Sequence, residues 1–468
     1  MISMTIADIA LAIDARIHEI SPDQTITENA VIDSRLAKPG TFFIALPGES
    51  VDGNDFALSA LESGARFVIT TREVDGPCLV VENTLVALQS LAHCARTLAK
   101  NCTFIGITGS QGKTTTKELL GHILATAGET VVPQGSFNNE IGLPLTILGC
   151  SDSTRFCVLE MGARHIGDIA ALSKIAEPTI GTVLVVGNAH VGEFGGREMI
   201  AKAKGEMIDS LPHGGIAVLG KYDEFTPRMG EKRSDLRRMT FGESSDCNVR
   251  AADIEIREGR AHFDLVTPSG RAAVSLRLIG AHQIANALAA AAVATTLEIP
   301  IDSIASALST AEITSKWRME LHDFGNFVII NDSYNANPES MKAALTTLAL
   351  FAQERGGSSW AILGKMHELG ESETHSHQVI GRLAMELGID HLVAVGTDLY
   401  NVNTLESAGM TLHQASDRNE AIRIAEFIEP GDSVLIKASR AEQLNLLSER
   451  IIEICSSRMG AITEEISE

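Results

Sequence analysis

Aromatic residues are scarce in this chain of 468 residues, with 15 Phe, 3 Tyr and 2 Trp. Its cores must therefore rest on Ala, Leu, Ile and Val, as in parallel sheets covered by helices. Cysteine is sparse as well: Cys78, Cys94, Cys102, Cys150, Cys157, Cys247 and Cys455 are odd in number, scattered and without a C-x-x-C pair. A disulfide scaffold and a zinc knuckle are excluded on that basis. No segment supplies about 18 uncharged apolar residues, and the most apolar one, Ile284 to Leu297, is short and alanine-rich. The first residues carry Asp8 and Asp14 in place of a basic start. Neither membrane insertion nor a secretory leader is expected, and the expected location is the reducing cytoplasm. Repeats with a period of about 20–50 residues and low-complexity tracts are missing too, which sets solenoids aside. Positive charge is in deficit, with 38 Lys and Arg against 60 Asp and Glu for a net charge of −22. A nucleic-acid polymer held through its phosphates is excluded, whereas a local basic pocket is allowed.

What is present is ordinary globular material, 44% hydrophobic and 21% charged. At about 150 residues per domain the length suggests three domains. The expected fold class is α/β: a small N-terminal α/β domain over residues 1–83, a central P-loop ATPase-like domain with a mostly parallel sheet over 84–313, and a C-terminal Rossmann-like domain over 314–468. Short β-branched runs carry this reading, namely 42–46, 67–71 and 78–82 in the first part, 103–107, 156–160, 182–186 and 215–220 in the second, and 327–332, 360–365, 391–396 and 433–439 in the third. Helix-length segments separate them, including a run from Thr84 to Lys100 that joins the first two domains. Residues 248–279 alternate polar and apolar positions, which predicts a pair of antiparallel hairpins on a sheet edge.

The sharpest local signal is Thr108-Gly109-Ser110-Gln111-Gly112-Lys113-Thr114-Thr115, between the strand at 103–107 and a helical run. Glycines let backbone N–H groups curl around phosphate oxygens, a helix N-terminus points its dipole at them, a lysine offsets charge and a hydroxyl suits Mg²⁺. The spacing departs from a strict G-x-x-x-x-G-K-T, because Ile107 stands where the first glycine belongs. In an open parallel sheet ligands gather beyond the carboxyl ends of the strands. Glu160 ends one strand and His190 follows another, a plausible pair of Mg²⁺ ligands. A strand-end glutamate also serves as a helix cap, and a loop histidine as a surface residue. Lys204 lies about 40° from the centre of the apolar stripe Ile200, Ala203, Met207, Ile208 and Leu211 at 100° per residue. Such a lysine either snorkels to solvent or becomes a shifted amine able to react with CO₂ and ligate metal as a carbamate.

These residues resemble the Mur ligase family of ATP-dependent amide-forming enzymes along the whole chain. The resemblance rests on the phosphate loop together with Phe137-Asn138-Asn139, Ile141-Gly142-Leu143-Pro144, Glu160-Met161-Gly162, Asn188-Ala189-His190, Ala203-Lys204-Gly205-Glu206, Gly280-Ala281-His282-Gln283-Ile284-Ala285-Asn286 and Trp317-Arg318-Met319-Glu320. In the third domain, the run Asp332 to Met341, Leu363 to Gly370 and Val434 to Arg440 resemble the branch that adds D-alanyl-D-alanine to UDP-N-acetylmuramoyl tripeptide. The aspartate-tyrosine-alanine-histidine run and the D-N-P-R motif of the branch that adds the third residue do not occur. Mild departures are Gln111 in the loop and Ala438 where glycine is common.

The resemblance implies the following roles. Residues Thr108 to Thr115, with Asn138, His282, Asn286, Arg318 and Asp332, would bind ATP. Lys113, Glu160, His190 and Lys204 would be catalytic, and Thr114, Glu160, His190 and a carbamylated Lys204 would hold Mg²⁺. Ser34, Arg35, Phe43, Ala45, Asp52 and Gly53 would meet the UDP portion of the acceptor, and Tyr334, Asn335 and Asn337 the dipeptide. Asp332 and the Asn-Pro pair also read as a plain turn and helix start. ATP and Mg²⁺ are the implied cofactors, the tripeptide and the dipeptide the implied small-molecule partners, and a monomer is expected. The competing readings are a sister Mur or folylpolyglutamate-type ligase adding another amino acid, a P-loop kinase or switch NTPase, and a binding module with a degenerate site.

Overall fold

The computed structural model describes residues 1–48, 50–188, 191–401 and 409–465, with the side chains of 458–465 left aside. The first sheet runs, from edge to edge, Arg16–His18, Cys78–Val80, Val68–Thr70, Thr41–Ile44 and Asn29–Val31, parallel except at the Arg16–His18 edge. The helix Thr84–Leu98 starts on an Asn83 cap and packs against the helices Gly142–Leu148 and Asp168–Ala176. Its apolar face, Leu88, Leu91, Ala92 and Ala95, belongs to one continuous core with Ile6 and Ile9 on one side and Phe104, Leu143 and Cys157 on the other.

Nine strands form the central sheet, in the order Gly270–Ile279, Arg260–Thr267, Val249–Arg257, Arg237–Gly242, Ile216–Gly220, Ile180–Val183, Thr103–Thr108, Phe156–Glu160 and Thr130–Val131. The expected hairpins are the three antiparallel strands at one edge, and the other pairings are parallel. Thr103–Thr108 is buried on both faces between Ile180–Val183 and Phe156–Glu160, which explains its unbroken apolar character. The strand expected at 182–186 is Ile180–Val183 instead. Beyond it the chain leaves the sheet, and the Val186 N–H donates to the Asp223 carboxylate at 2.9 Å.

The helix Gln283–Thr296 explains the alanine run, because it is buried between the helix Lys113–Ala125 and the sheet. Only methyl-sized side chains allow approach from both sides. The third sheet runs Glu320–Asp323, Val328–Asn331, Ser433–Lys437, Ser359–Leu363, His391–Val395 and Thr411–Ala415, with only the first pair antiparallel. Helices Pro338–Arg355, Glu373–Glu386 and Leu444–Glu465 accompany it.

The C-terminal domain is seated against the central one at several points. The Glu339 carboxylate accepts from the Asn188 N–H at 3.0 Å and its Nδ2 at 2.6 Å. Gly192 meets the backbone of Gly370, where a Cβ would lie 2.5 Å from the Gly370 nitrogen. The connecting segment is pinned to the helix Lys113–Ala125, since the Glu118 carboxylate accepts from the Thr314 N–H at 2.9 Å and from the Ser315 hydroxyl. Among the described residues no helix is long and apolar enough to cross a membrane.

Ala290 is fully buried in the middle of Gln283–Thr296. Ala290→Leu adds volume where none is spare and should cost about 1–3 kcal/mol, read as a lower midpoint in chemical denaturation.

Candidate active site

The phosphate loop lies between the central strand Thr103–Thr108 and the helix Lys113–Ala125. Gly112 caps that helix in the left-handed region at φ +81°, and a Cβ there would lie 2.2 Å from the Asn286 Oδ1. Only glycine satisfies both conditions. Ser110 ties the loop to the next strand end: its N–H donates to the Val185 carbonyl at 2.9 Å, and its hydroxyl accepts from the Gly187 N–H at 2.9 Å. Lys113 folds back so that Nζ donates to the Gly109 carbonyl at 2.9 Å. The Thr108 hydroxyl is buried beneath the loop, without a hydrogen-bond partner among the described residues.

Glu160 is 1% exposed and engages both sides of the loop. It accepts from the Thr114 hydroxyl at 2.9 Å and from the Asn138 amide at 2.9 Å. It therefore acts through side chains and is not a backbone cap. Around it stand cations held down by burial. Burial lowers the pKa of Lys113, with Glu160 pulling it up and Arg318 pushing it further down. Lys117 is buried too, donating to the Pro133 carbonyl at 2.6 Å beside Glu118 at 3.5 Å. Arg318 reaches across from the connecting segment to the Ser136 hydroxyl at 2.9 Å, its guanidinium 3.9 Å from the centre of the Tyr334 ring.

Lys204 does not snorkel. It is 3% exposed on the helix Arg197–Asp209, in the buried row with Ile200, Ala203, Met207 and Ile208. That helix lies close because of Gly106, where a Cβ would be 2.8 Å from Met207. Burial, reinforced by the nearby Lys113 charge and opposed by Asp168 and Glu206, lowers its pKa to about 7. The Glu206 carboxylate is already engaged by the Gly167 and Ala170 N–H groups at 2.6 and 3.0 Å. That environment favours the neutral, nucleophilic form of the Lys204 amine.

The C-terminal domain supplies the opposite wall of a cleft of about 1800 Å³. Asp332 accepts from the Met319 N–H at 3.1 Å and pairs with Lys437 at 2.5 Å, and Lys437 also donates to the Asn335 carbonyl at 2.8 Å. His282 faces this pair from the central domain, its pKa lowered to about 4 chiefly by burial, and its Nδ1 has no partner among the described residues. Asn286 accepts from the Thr116 hydroxyl at 3.5 Å and donates to Gln283 at 2.8 Å. Tyr334, Asn335 and Asn337 line the same cleft. Asn337 spends its side-chain Oδ1 capping the helix Pro338–Arg355, accepting from the Ser340 N–H at 2.8 Å.

The cleft therefore brings together Ser110 to Thr115, Asn138, Glu160, Lys204, His282, Asn286, Arg318, Asp332, Tyr334, Asn335 and Asn337. His190 lies outside the described residues. The N-terminal set stands apart from the cleft. Arg35 is exposed and paired with Asp33, whose carboxyl it holds down at about 2. Ser34 sits beside it on the short helical turn Ser34–Leu36. Asp52 caps a turn by accepting from the Asn54 N–H at 3.0 Å. Phe43 and Ala45 are core residues at 1% and 0% exposure, packed with Ala57, Ala60 and Val68 on one face of the first sheet. Gly53 is a close-approach position, where a Cβ would lie 2.3 Å from the Leu46 carbonyl oxygen. A smaller cavity of about 300 Å³, lined by Ile32, Phe137, Asn138 and Ile141 among others, lies where the first two domains meet.

Sequence reasoning passed over Tyr222, a cleft residue whose buried hydroxyl has no partner among the described residues. It also gave no role to Lys437, which the buried Asp332 pairing brings into the cleft wall. A charged residue ending an apolar strand was the available signal for Lys437; Tyr222 offered none.

Comparison with known proteins agrees with this architecture. Family models described as Mur ligase family, catalytic domain, as Mur ligase middle domain and as Mur ligase, glutamate ligase domain match residues 28–101, 107–294 and 317–440. The chain is 39% identical to a UDP-N-acetylmuramoyl-tripeptide--D-alanyl-D-alanine ligase from Mycobacterium bovis, over 98% of this chain and 99% of the relative. A crystal structure of MurF from Acinetobacter baumannii superposes with a TM-score of 0.86 at 33% identity, covering 96% of this chain and 99% of the other. MurF ligase from Thermotoga maritima in complex with ADP superposes with a TM-score of 0.78 at 30% identity, covering 93% and 98%.

Lys204→Ala should reduce turnover by roughly 100-fold or more while leaving the melting temperature unchanged or raised, since it removes a buried amine that folding disfavours. Parallel kinetics and thermal melting check this, and equal losses in both would mark Lys204 as structural. The pH dependence has a definite sign. The free lysine value is 10.5 and the folded one about 7, so between them the unfolded chain binds more protons and stability rises with pH. The alanine variant should lack that part of the gradient.

Proposed function

The chain belongs to the Mur ligase family, and on that premise we infer that it joins D-alanyl-D-alanine to the terminal carboxylate of UDP-N-acetylmuramoyl tripeptide at the expense of ATP. The observation that carries the reading is the single cleft in which the phosphate loop, Glu160 and Lys204 of one domain face Asp332, Asn335 and Lys437 of another. A phosphotransferase needs only the first wall. A reaction that must bring a second, amine-bearing substrate to an activated carboxylate needs both. Similarity along nearly the whole chain to dipeptide-adding ligases favours that amine over the single amino acids of sister enzymes.

The family resemblance and the cleft support the following roles. Lys113 and Arg318 offset charge on the γ-phosphate while the tripeptide carboxylate attacks it, so this half of catalysis is positioning and electrostatics. The product is an acyl phosphate and ADP. The amine of the dipeptide then adds to the acyl carbon, the nitrogen loses a proton, and the tetrahedral intermediate expels inorganic phosphate to leave the amide. Acyl phosphates hydrolyse readily, and the C-terminal wall supplies the cover that keeps water out. His282 and Asn286 take the nucleoside end, with Asp332 at the ribose. The acceptor-binding part is assigned to residues 1–83, the ATPase to 84–313 and the amine side to 314–468. Ser34, Arg35 and Asp52 are assigned to the UDP end of the acceptor.

The donors present fit Mg²⁺: the Thr114 hydroxyl and the Glu160 carboxylate are hard oxygen ligands held 2.9 Å apart at the mouth of the loop. A carbamylated Lys204 would add a third oxygen donor, with His190 as a further ligand. When bound, the ion supplies charge neutralisation on the phosphates. The expected location is the cytoplasm, where ATP and these substrates are made available to a chain without a membrane-spanning helix among its described residues.

Phosphate release with ATP, Mg²⁺ and UDP-N-acetylmuramoyl tripeptide tests the assignment, comparing D-alanyl-D-alanine with single amino acids. The dipeptide should drive release well above every single amino acid. Release no greater than in buffer would sink the assignment.

A further inference from the structure

The amine substrate is a zwitterion, and the cleft must hold its carboxylate while presenting its amine. In the C-terminal wall Lys437 is already neutralised by Asp332 at 2.5 Å. Arg440, at the start of the helical turn Arg440–Glu442 that follows the strand Ser433–Lys437, is not. Its guanidinium stacks 4.2 Å from the centre of the Trp317 ring, and its Nη1 donates to the buried Asn445 side chain at 2.8 Å. Among the described residues its Nε and Nη2 have no hydrogen-bond partner. The natural internal partner is Glu442, two residues further on, but that carboxylate is taken by His367 Nε2 at 2.6 Å. Trp317 holds a left-handed backbone at φ +61°, uncommon for an aromatic residue, and in that conformation its ring lies against Arg440.

A guanidinium fixed by stacking and one hydrogen bond, with an edge left open into a cleft, is built for a planar anion. Resting on the ligase reading above, the geometry points to Arg440 as the anchor of the terminal carboxylate of D-alanyl-D-alanine. Holding the dipeptide by its far end fixes the distance from anchor to amine. A single amino acid gripped by the same arginine would then leave its amine one residue short of the acyl carbon. Length selection and carboxylate recognition thus come from one side chain.

The test is phosphate release by the full chain with ATP, Mg²⁺ and UDP-N-acetylmuramoyl tripeptide, using D-alanyl-D-alanine or its C-terminal amide as amine. The parent chain should prefer the acid by roughly a hundredfold in kcat/KM, the size expected for a charge-assisted pair in a closed cleft. Arg440→Met should lose about that factor with the acid and little with the amide, with KM for ATP unchanged, and Arg440→Lys should fall between. Equal loss with acid and amide, or a rise in KM for ATP, would overturn the anchor. The two readings fail separately: no phosphate release by the parent chain with the dipeptide removes the ligase assignment, whereas normal release with no discrimination against the amide removes only the anchor.

Discussion

A buried carboxylate set among cations organises this molecule. Taking Glu160 out of water costs several kcal/mol, a cost that is offset only by close hydrogen bonds and opposite charge. The Thr114 hydroxyl, the Asn138 amide and the neighbouring lysines provide both. Lys113, Lys117, Lys204 and Arg318 share this interior with Glu160, Glu118, Asp168 and Glu206, and the lowered pKa values of the lysines register chiefly the cost of burying a positive charge. A polyphosphate placed among these cations would ease that cost, and in a site poor in water each such interaction is stronger than at the surface. The surrounding chain carries a net charge of −22. The cleft lining carries eight Lys and Arg against eight Asp and Glu, so within an acidic chain it is balanced, and small anionic ligands are met by local cations where an extended polyanion would be repelled.

Holding so many charges together requires backbone in unusual places. Gly112 takes a conformation and a clearance that no other residue tolerates, and Gly106 admits the helix that carries Lys204. The central strand Thr103–Thr108 is flanked on both sides by parallel partners, so its end is the switch point where the loop, Glu160 and the segment after Val183 converge. The all-alanine face of Gln283–Thr296 then brings His282 and Asn286 against the loop from behind.

Much of this was legible in the sequence, because it is written in local pattern. The phosphate loop is contiguous, buried parallel strands read as unbroken β-branched runs, and Lys204 betrayed itself by sitting in an apolar stripe. The edge hairpins announced themselves by alternation. What could not be read depends on partners far apart in the chain. Lys437 meets Asp332 across 105 residues, and Asn188 meets Glu339 across 151. Tyr222 enters the cleft on a loop with no periodicity to mark it.

The segment between the second and third domains is more than a tether. At one end the Glu118 carboxylate, on the helix that opens with Lys113, holds Thr314 and Ser315. Arg318, four residues beyond Thr314, touches Ser136, and the next residue, Met319, donates to Asp332. Trp317 stacks on Arg440, beyond the strand that carries Lys437. Within six residues the linker thus contacts the phosphate-loop helix, the loop near Asn138 and two strand ends of the C-terminal sheet. A rigid body tied at four points cannot shift at one without straining the others, because packed contacts have discrete arrangements and do not deform continuously. These contacts join the phosphate-loop helix to the wall that carries Asp332, Lys437 and Arg440. A linker that touches both walls suits a reaction with a water-sensitive intermediate, since the second wall must be in place before that intermediate forms.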